Sequence, residues 1–99
     1  MKIDLGNYKY CEKDTLQELG KICDRKSVWS GDQVKVNGTL FRTERGNYIF
    51  YGRVYDVMQA KNVMYGWKLL EQSQVRQYLE LCDTVNDNNK WELLDYEEV

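Results

Sequence analysis

The stretch from Asp32 to Leu70, DQVKVNGTLFRTERGNYIFYGRVYDV continuing to NVMYGWKLL, constrains this chain most. It sets runs of β-branched and aromatic residues between Gly-centred turn signals, the pattern of an antiparallel meander. Asn37-Gly38 is the strongest of these signals, because both central positions of a type I′ turn need positive φ. A hairpin closed there pairs Val36 with Thr39 and Val34 with Phe41. Alternation then puts Val34, Val36, Phe41 and Thr43 on one face, and Lys35, Leu40 and Arg42 on the other.

A second turn is expected at Arg45-Gly46 or Gly46-Asn47. Either two-residue choice places Tyr48, Phe50, Gly52 and Val54 with Phe41, and Ile49, Tyr51, Arg53 and Tyr55 with Leu40 and Arg42. A three-residue loop with a bulge would reverse that assignment. Neither face of YIFYGRVYDV is polar, so the second face is either covered by helices or used for binding. Gln59 to Asn62 reads as the next turn. The fourth strand puts Val63, Tyr65, Trp67 and Leu69 on one side.

The flanks add two helical patterns. In KDTLQELGKICDRK, Asp14 suits an N-cap with Gln17 three residues on, and Leu16, Leu19, Ile22 and Cys23 share a helical face. In EQSQVRQYLELCDTVND, Ser73 suits an N-cap, and Val75, Tyr78, Leu79 and Cys82 form an amphipathic stripe. Ile3 and Leu5 suggest a first strand that Tyr8 and Tyr10 extend past Gly6-Asn7. Ser30-Gly31-Asp32 reads as a turn with Trp29 beside it as a core anchor. KWELLDYEEV is expected to be a last strand, with a short helix as the alternative. The expected fold is one α+β domain over residues 1–99. It is mainly an antiparallel β-meander of about four to six strands with two α-helices, in the order β-α-β-β-β-β-α-β.

Composition removes several chemistries. The 99 residues include no histidine, which excludes Ser-His and Cys-His catalysis and His-ligated metals. Cys11, Cys23 and Cys82 have no CxxC spacing, so they are expected to be reduced, mostly buried thiols rather than a zinc site or disulfide framework. No enzyme activity, cofactor or metal is expected. There is no membrane-spanning run and no signal-peptide pattern, so the expected compartment is a cytoplasm, its own or a host's.

Net charge is −2 and uneven: from Glu80 onward there are seven acidic residues and one basic, Lys90. This gives one candidate contact surface, with Trp91 and Tyr96 as aromatic anchors beside Glu92, Asp95 and Glu97. Such a surface could dock on a basic groove by charge complementarity; a solvated helix face plus a tail is the plainer reading. The rival surface is the second meander face, with Lys35, Arg42 and Arg53 near Tyr51 and Tyr55. Basic side chains interleaved with aromatics suit single-stranded nucleic acid; a helix-covered face with snorkelling basic stems is the plainer reading there. Lesser candidates are Cys11 as a nucleophile before the first helix and Asp83 with Asp87 as a weak cation site.

In size, aromatic content and lack of catalytic residues, the chain is similar to small accessory proteins of phages and mobile elements, anti-CRISPR proteins among them. That resemblance implies a non-enzymatic inhibitor, monomer or homodimer, which occludes a surface of a larger host protein or nucleoprotein complex. The GDQVKVNG phrase resembles small barrels with nucleic-acid-binding strands. The second functional expectation is accordingly a small nucleic-acid-binding domain that uses the meander face.

Overall fold

A computed structural model describes residues 1–83 and Glu97. The expected last strand, and with it Trp91, Glu92, Asp95 and Tyr96, lies outside the described residues. Within them the fold is α+β. A two-stranded antiparallel sheet is formed by β1 (Lys2–Gly6) and β2 (Lys9–Glu12). A four-stranded antiparallel meander is formed by β3 (Gln17–Trp29), β4 (Asp32–Arg42), β5 (Tyr48–Asp56) and β6 (Lys61–Leu69), and the helix α1 (Gln72–Leu81) follows. Among the described residues there is one α-helix, not two.

The segment expected to be the first helix is instead edge strand β3, preceded by a short 3₁₀ turn over Lys13–Thr15 that contains Asp14. Two register shifts hide the strand. One leaves Leu19 unmatched between Glu18 and Gly20, and the other leaves Cys23 and Asp24 opposite Asn37 alone. Each inserted residue breaks the two-residue alternation, and the broken pattern imitates a helical stripe. Cys23, on the expected apolar stripe, is exposed; Cys11 is half-buried and Cys82 alone of the three is buried, so the thiols are not mostly buried.

Asn37-Gly38 does not close a hairpin. It lies inside β4, where Asn37 pairs with Arg53 and Gly38 with Gly52. Two ladders of about nine or ten pairs, to β3 and β5, outweigh one local turn preference. The Gly marks a close approach instead. A Cβ on Gly38 would come within 2.5 and 2.7 Å of Phe50 ring carbons, and one on Gly52 within 2.8 Å of the same ring. The Phe50 ring therefore lies over two glycine backbones. With β4 unbroken, Leu40 pairs with Phe50 and Phe41 with Ile49, so Phe41 and Phe50 sit on opposite faces rather than together. Leu40 and Arg42 likewise move to the face of Val34, Val36, Phe50 and Val54.

The other turns are Ser30-Gly31 between Trp29 and Asp32, a five-residue turn from Thr43 to Asn47, and residues 57–60. The second of these is longer than the expected two-residue turn and is closed by Thr43 N–H donating to Asn47 O at 2.9 Å.

α1 begins two residues earlier than Ser73 would place it. Glu71 is the N-cap and forms a capping box with Gln74, whose Oε1 accepts from Glu71 N–H at 3.2 Å. The expected stripe is found: Tyr78, Leu79 and Cys82 are buried, and Val75 packs against them. Tyr78 sits 5.0 Å from Phe50 and 4.8 Å from Trp29, ring centre to ring centre. Burying Tyr78 and Leu79 contributes roughly 1.5–3 kcal/mol for each side chain. Beyond the helix, Asp83 N–H donates to Lys21 O at 2.9 Å and Asp83 Oδ1 accepts from Lys21 N–H at 3.0 Å. That pair ties the helix exit to the outer edge of β3; Asp87, the other half of the expected cation pair, lies outside the described residues.

Candidate functional site: the open face of the sheet

Direct pairing across β3 to β6 determines which side chains share the face away from α1. Lys26, Lys35, Tyr55 and Asn62 make one row, and Asn37, Arg53 and Tyr65 the next. Lys21, Thr39, Tyr51 and Trp67 follow, and then Glu18, Phe41, Ile49 and Leu69. Four of the five residues expected on a meander binding face, Lys35, Tyr51, Arg53 and Tyr55, are thus brought together. The fifth, Arg42, is on the opposite side of the sheet, in register with Tyr48 and 5.5 Å from its ring centre. Glu97, from the acidic set, is exposed.

The face is wet and aromatic at once. Tyr65 is 77% exposed and Tyr51 44% exposed. Trp67 is half-buried, with its ring 4.4 Å from that of Tyr51 and 5.6 Å from that of Phe41. The trio forms a tilted stack that fixes Tyr51 in place and leaves one side of its ring to solvent. A shallow groove of about 400 Å³ runs across β4, β5 and β6, with Thr39 and Tyr51 on one bank, Arg53 and Tyr65 on the other, and the glycines at 38, 52 and 66 along its floor.

At its upper end the groove meets a polar pocket of about 240 Å³ walled by Asp24, Lys35, Asn37, Arg53 and Tyr55. Asp24 reaches it because the β3 bulge holds this residue at φ 50°, and its Oδ1 accepts from Asn37 Nδ2 at 3.1 Å. Among the described residues no ion pair engages Lys35 or Arg53. Among the described residues, Lys21, Lys26, Lys35 and Arg53 face Glu18 and Asp24 here, four positive against two negative, so these residues carry +2 in a chain of −2.

Cys11 lies in β2 and is followed by the 3₁₀ turn, not by an α-helix. Burial first, and then the neighbouring Glu12 carboxylate, push its thiol pKa up. Both effects oppose a thiolate nucleophile. No group of three or more metal-ligating side chains gathers among the described residues, and no described helix is long and apolar enough to cross a membrane.

Asn37, Asp24, Tyr65 and Trp67 were not among the expected site residues. Alternation in NVMYGWKLL does put Tyr65 and Trp67 on one side, and the register of β6 against β5 connects that side to Tyr51. Asn37 was hidden by its reading as a turn residue. Comparison with family models, curated proteins and solved structures found no match to this chain.

Proposed function

We propose that the protein is a non-enzymatic binding module whose contact surface is the open face of the four-stranded sheet, and that it takes single-stranded nucleic acid there. The observation that carries the reading is the juxtaposition of Lys35 and Arg53, which no ion pair engages among the described residues, with the exposed rings of Tyr51 and Tyr65 on the face away from α1. Rings stack on bases of any sequence, and cations track the backbone. The strand engaged is either free or displayed on a larger nucleoprotein complex.

A second reading stays with the same face. Tyr, Trp and Arg are the residue types that dominate protein interfaces, and Tyr51, Tyr65, Trp67 and Arg53 gather here. Occlusion of a host protein surface, the inhibitor expectation, would then run through this face rather than through the acidic set of Trp91, Glu92, Asp95, Tyr96 and Glu97.

Fluorescence anisotropy with labelled DNA and RNA single strands of about ten nucleotides tests the first reading. Affinity should fall steeply with salt. Lys35→Ala with Arg53→Ala should reduce the log–log slope by about 0.7 for each phosphate that is no longer neutralised. Tyr51→Ala with Arg53→Ala should abolish binding, and Glu92→Lys, Asp95→Lys and Glu97→Lys together should leave it intact. Absence of binding at low salt, or binding indifferent to the open-face variants, refutes the nucleic-acid reading and leaves occlusion.

A further inference from the structure

The β1–β2 hairpin ends in a turn that its sequence does not favour. Gly6 pairs with Lys9, so the loop is Asn7-Tyr8, with φ of 52° and 60°. The second position of such a turn is the one that glycine fills most readily, and a bulky residue at positive φ is an outlier. Tyr8 is nevertheless there, fully exposed, with no hydrogen bond or ring contact among the described residues. Nothing in the described fold offsets the strain. Backbone strain of this kind gathers at sites of use.

The hairpin also walls a cleft of about 540 Å³, opposite the β4–β5 turn. Tyr8, Lys9, Tyr10 and Arg45 line it above Leu5 and Leu69. Leu69 pairs with Ile49 on the open face, so the cleft continues that face beyond Tyr51 and Trp67. No ion pair engages Lys9 or Arg45 among the described residues, whereas Glu12 is held 3.5 Å from the N-terminal ammonium. Glu44 is the remaining acid on the cleft wall.

Resting on the nucleic-acid reading above, we propose that this cleft is the second half of the same site. A single strand that stacks on Tyr51 and Tyr65 continues past Leu69, with its phosphates meeting Lys9 and Arg45. Tyr8 is a stacking finger held in a strained turn for that contact.

The test pairs a short with a long single strand, about four and about ten nucleotides, in anisotropy titrations. The wild-type protein should bind the long strand more tightly by more than its extra binding registers explain. Tyr8→Gly should raise the thermal midpoint by relieving the turn. It should also weaken long-strand binding about fivefold or more, the effect expected for removing one stacking ring, and leave the short strand unaffected. Tyr8→Phe should keep long-strand affinity. Unchanged long-strand affinity in Tyr8→Gly, or a lowered midpoint, overturns the proposal while the open-face reading stands. Failure of the wild-type protein to bind either strand overturns that reading and this proposal with it.

Discussion

The two faces of the four-stranded sheet are built from the same strands, residue by residue in alternation, yet they differ in what they bury. On the covered face Val36, Leu40, Phe50 and Val54 are at most 3% exposed and meet Tyr78 and Leu79 of α1. On the open face, at the intervening positions, Tyr51, Arg53 and Tyr65 stand in solvent. α1 covers one face; on the other, Ile49 beside Leu69 is fully buried, while Tyr51, Arg53 and Tyr65 remain exposed among the described residues. On the reading proposed above, these exposed aromatics with cations beside them are the contact surface. Substitutions on the covered face should therefore register as stability, and those on the open face as binding.

Phe50→Ala should be the most damaging change. It empties the space under Tyr78 and over two glycines, at a cost of about 3–5 kcal/mol in chemical denaturation. Gly52→Ala should come next, because its methyl group would meet the Phe50 ring and the Asn37 carbonyl. Overpacking of this kind costs about 1–3 kcal/mol, and a neutral result would mean that the glycine row is not a close approach.

Tyr78 offers a pH handle on the covered face. Burial lifts its phenol from an ordinary value of 10 to about 12. The unfolded chain thus loses this proton at lower pH than the folded one. The associated stability is complete below pH 10 and is lost as pH rises from 10 toward 12, on the order of 2 kcal/mol. In Tyr78→Phe the denaturation midpoint should be flatter across that window.

Tyr65→Ala, on the open face, should have the smallest effect on folding, within about 0.5 kcal/mol, while weakening binding of a single strand by about 1–3 kcal/mol. If Tyr65→Ala destabilises the fold as Phe50→Ala does, the contrast between the faces collapses.

Much of this contrast was legible in the residues. The antiparallel meander and the α1 stripe follow from periodicity; the grouping of Lys35 with Tyr51, Arg53 and Tyr55 is right only because two parity errors cancel, the Asn37-Gly38 hairpin and a two-residue turn where five residues, Thr43 to Asn47, join β4 to β5. What failed was local signal against long-range pairing. Asn37-Gly38 has the strongest hairpin preference in the chain, but Gly38 faces Gly52 beneath the Phe50 ring, a packing arrangement that only the assembled sheet reveals. That one misreading moved Leu40, Phe41 and Arg42 to the wrong faces. The β3 error has a different source. Its bulges at Leu19 and at Cys23-Asp24 exchange a period of two for something close to 3.6, and single-sequence periodicity cannot separate a twice-bulged strand from a helix. The polar pocket depends on the second of these bulges, so its Asp24 wall was out of reach for the same reason.

The central claim is that the sheet face away from α1 is the binding surface. An amide chemical-shift map, recorded while single-stranded oligonucleotide of about ten nucleotides is titrated in, tests it most directly. The shifts should concentrate at Lys35, Asn37, Tyr51, Arg53, Tyr65 and Trp67, with α1 and the Val36–Val54 pair undisturbed. Shifts centred on α1 or on the chain beyond Asp83, with the open face silent, would contradict it.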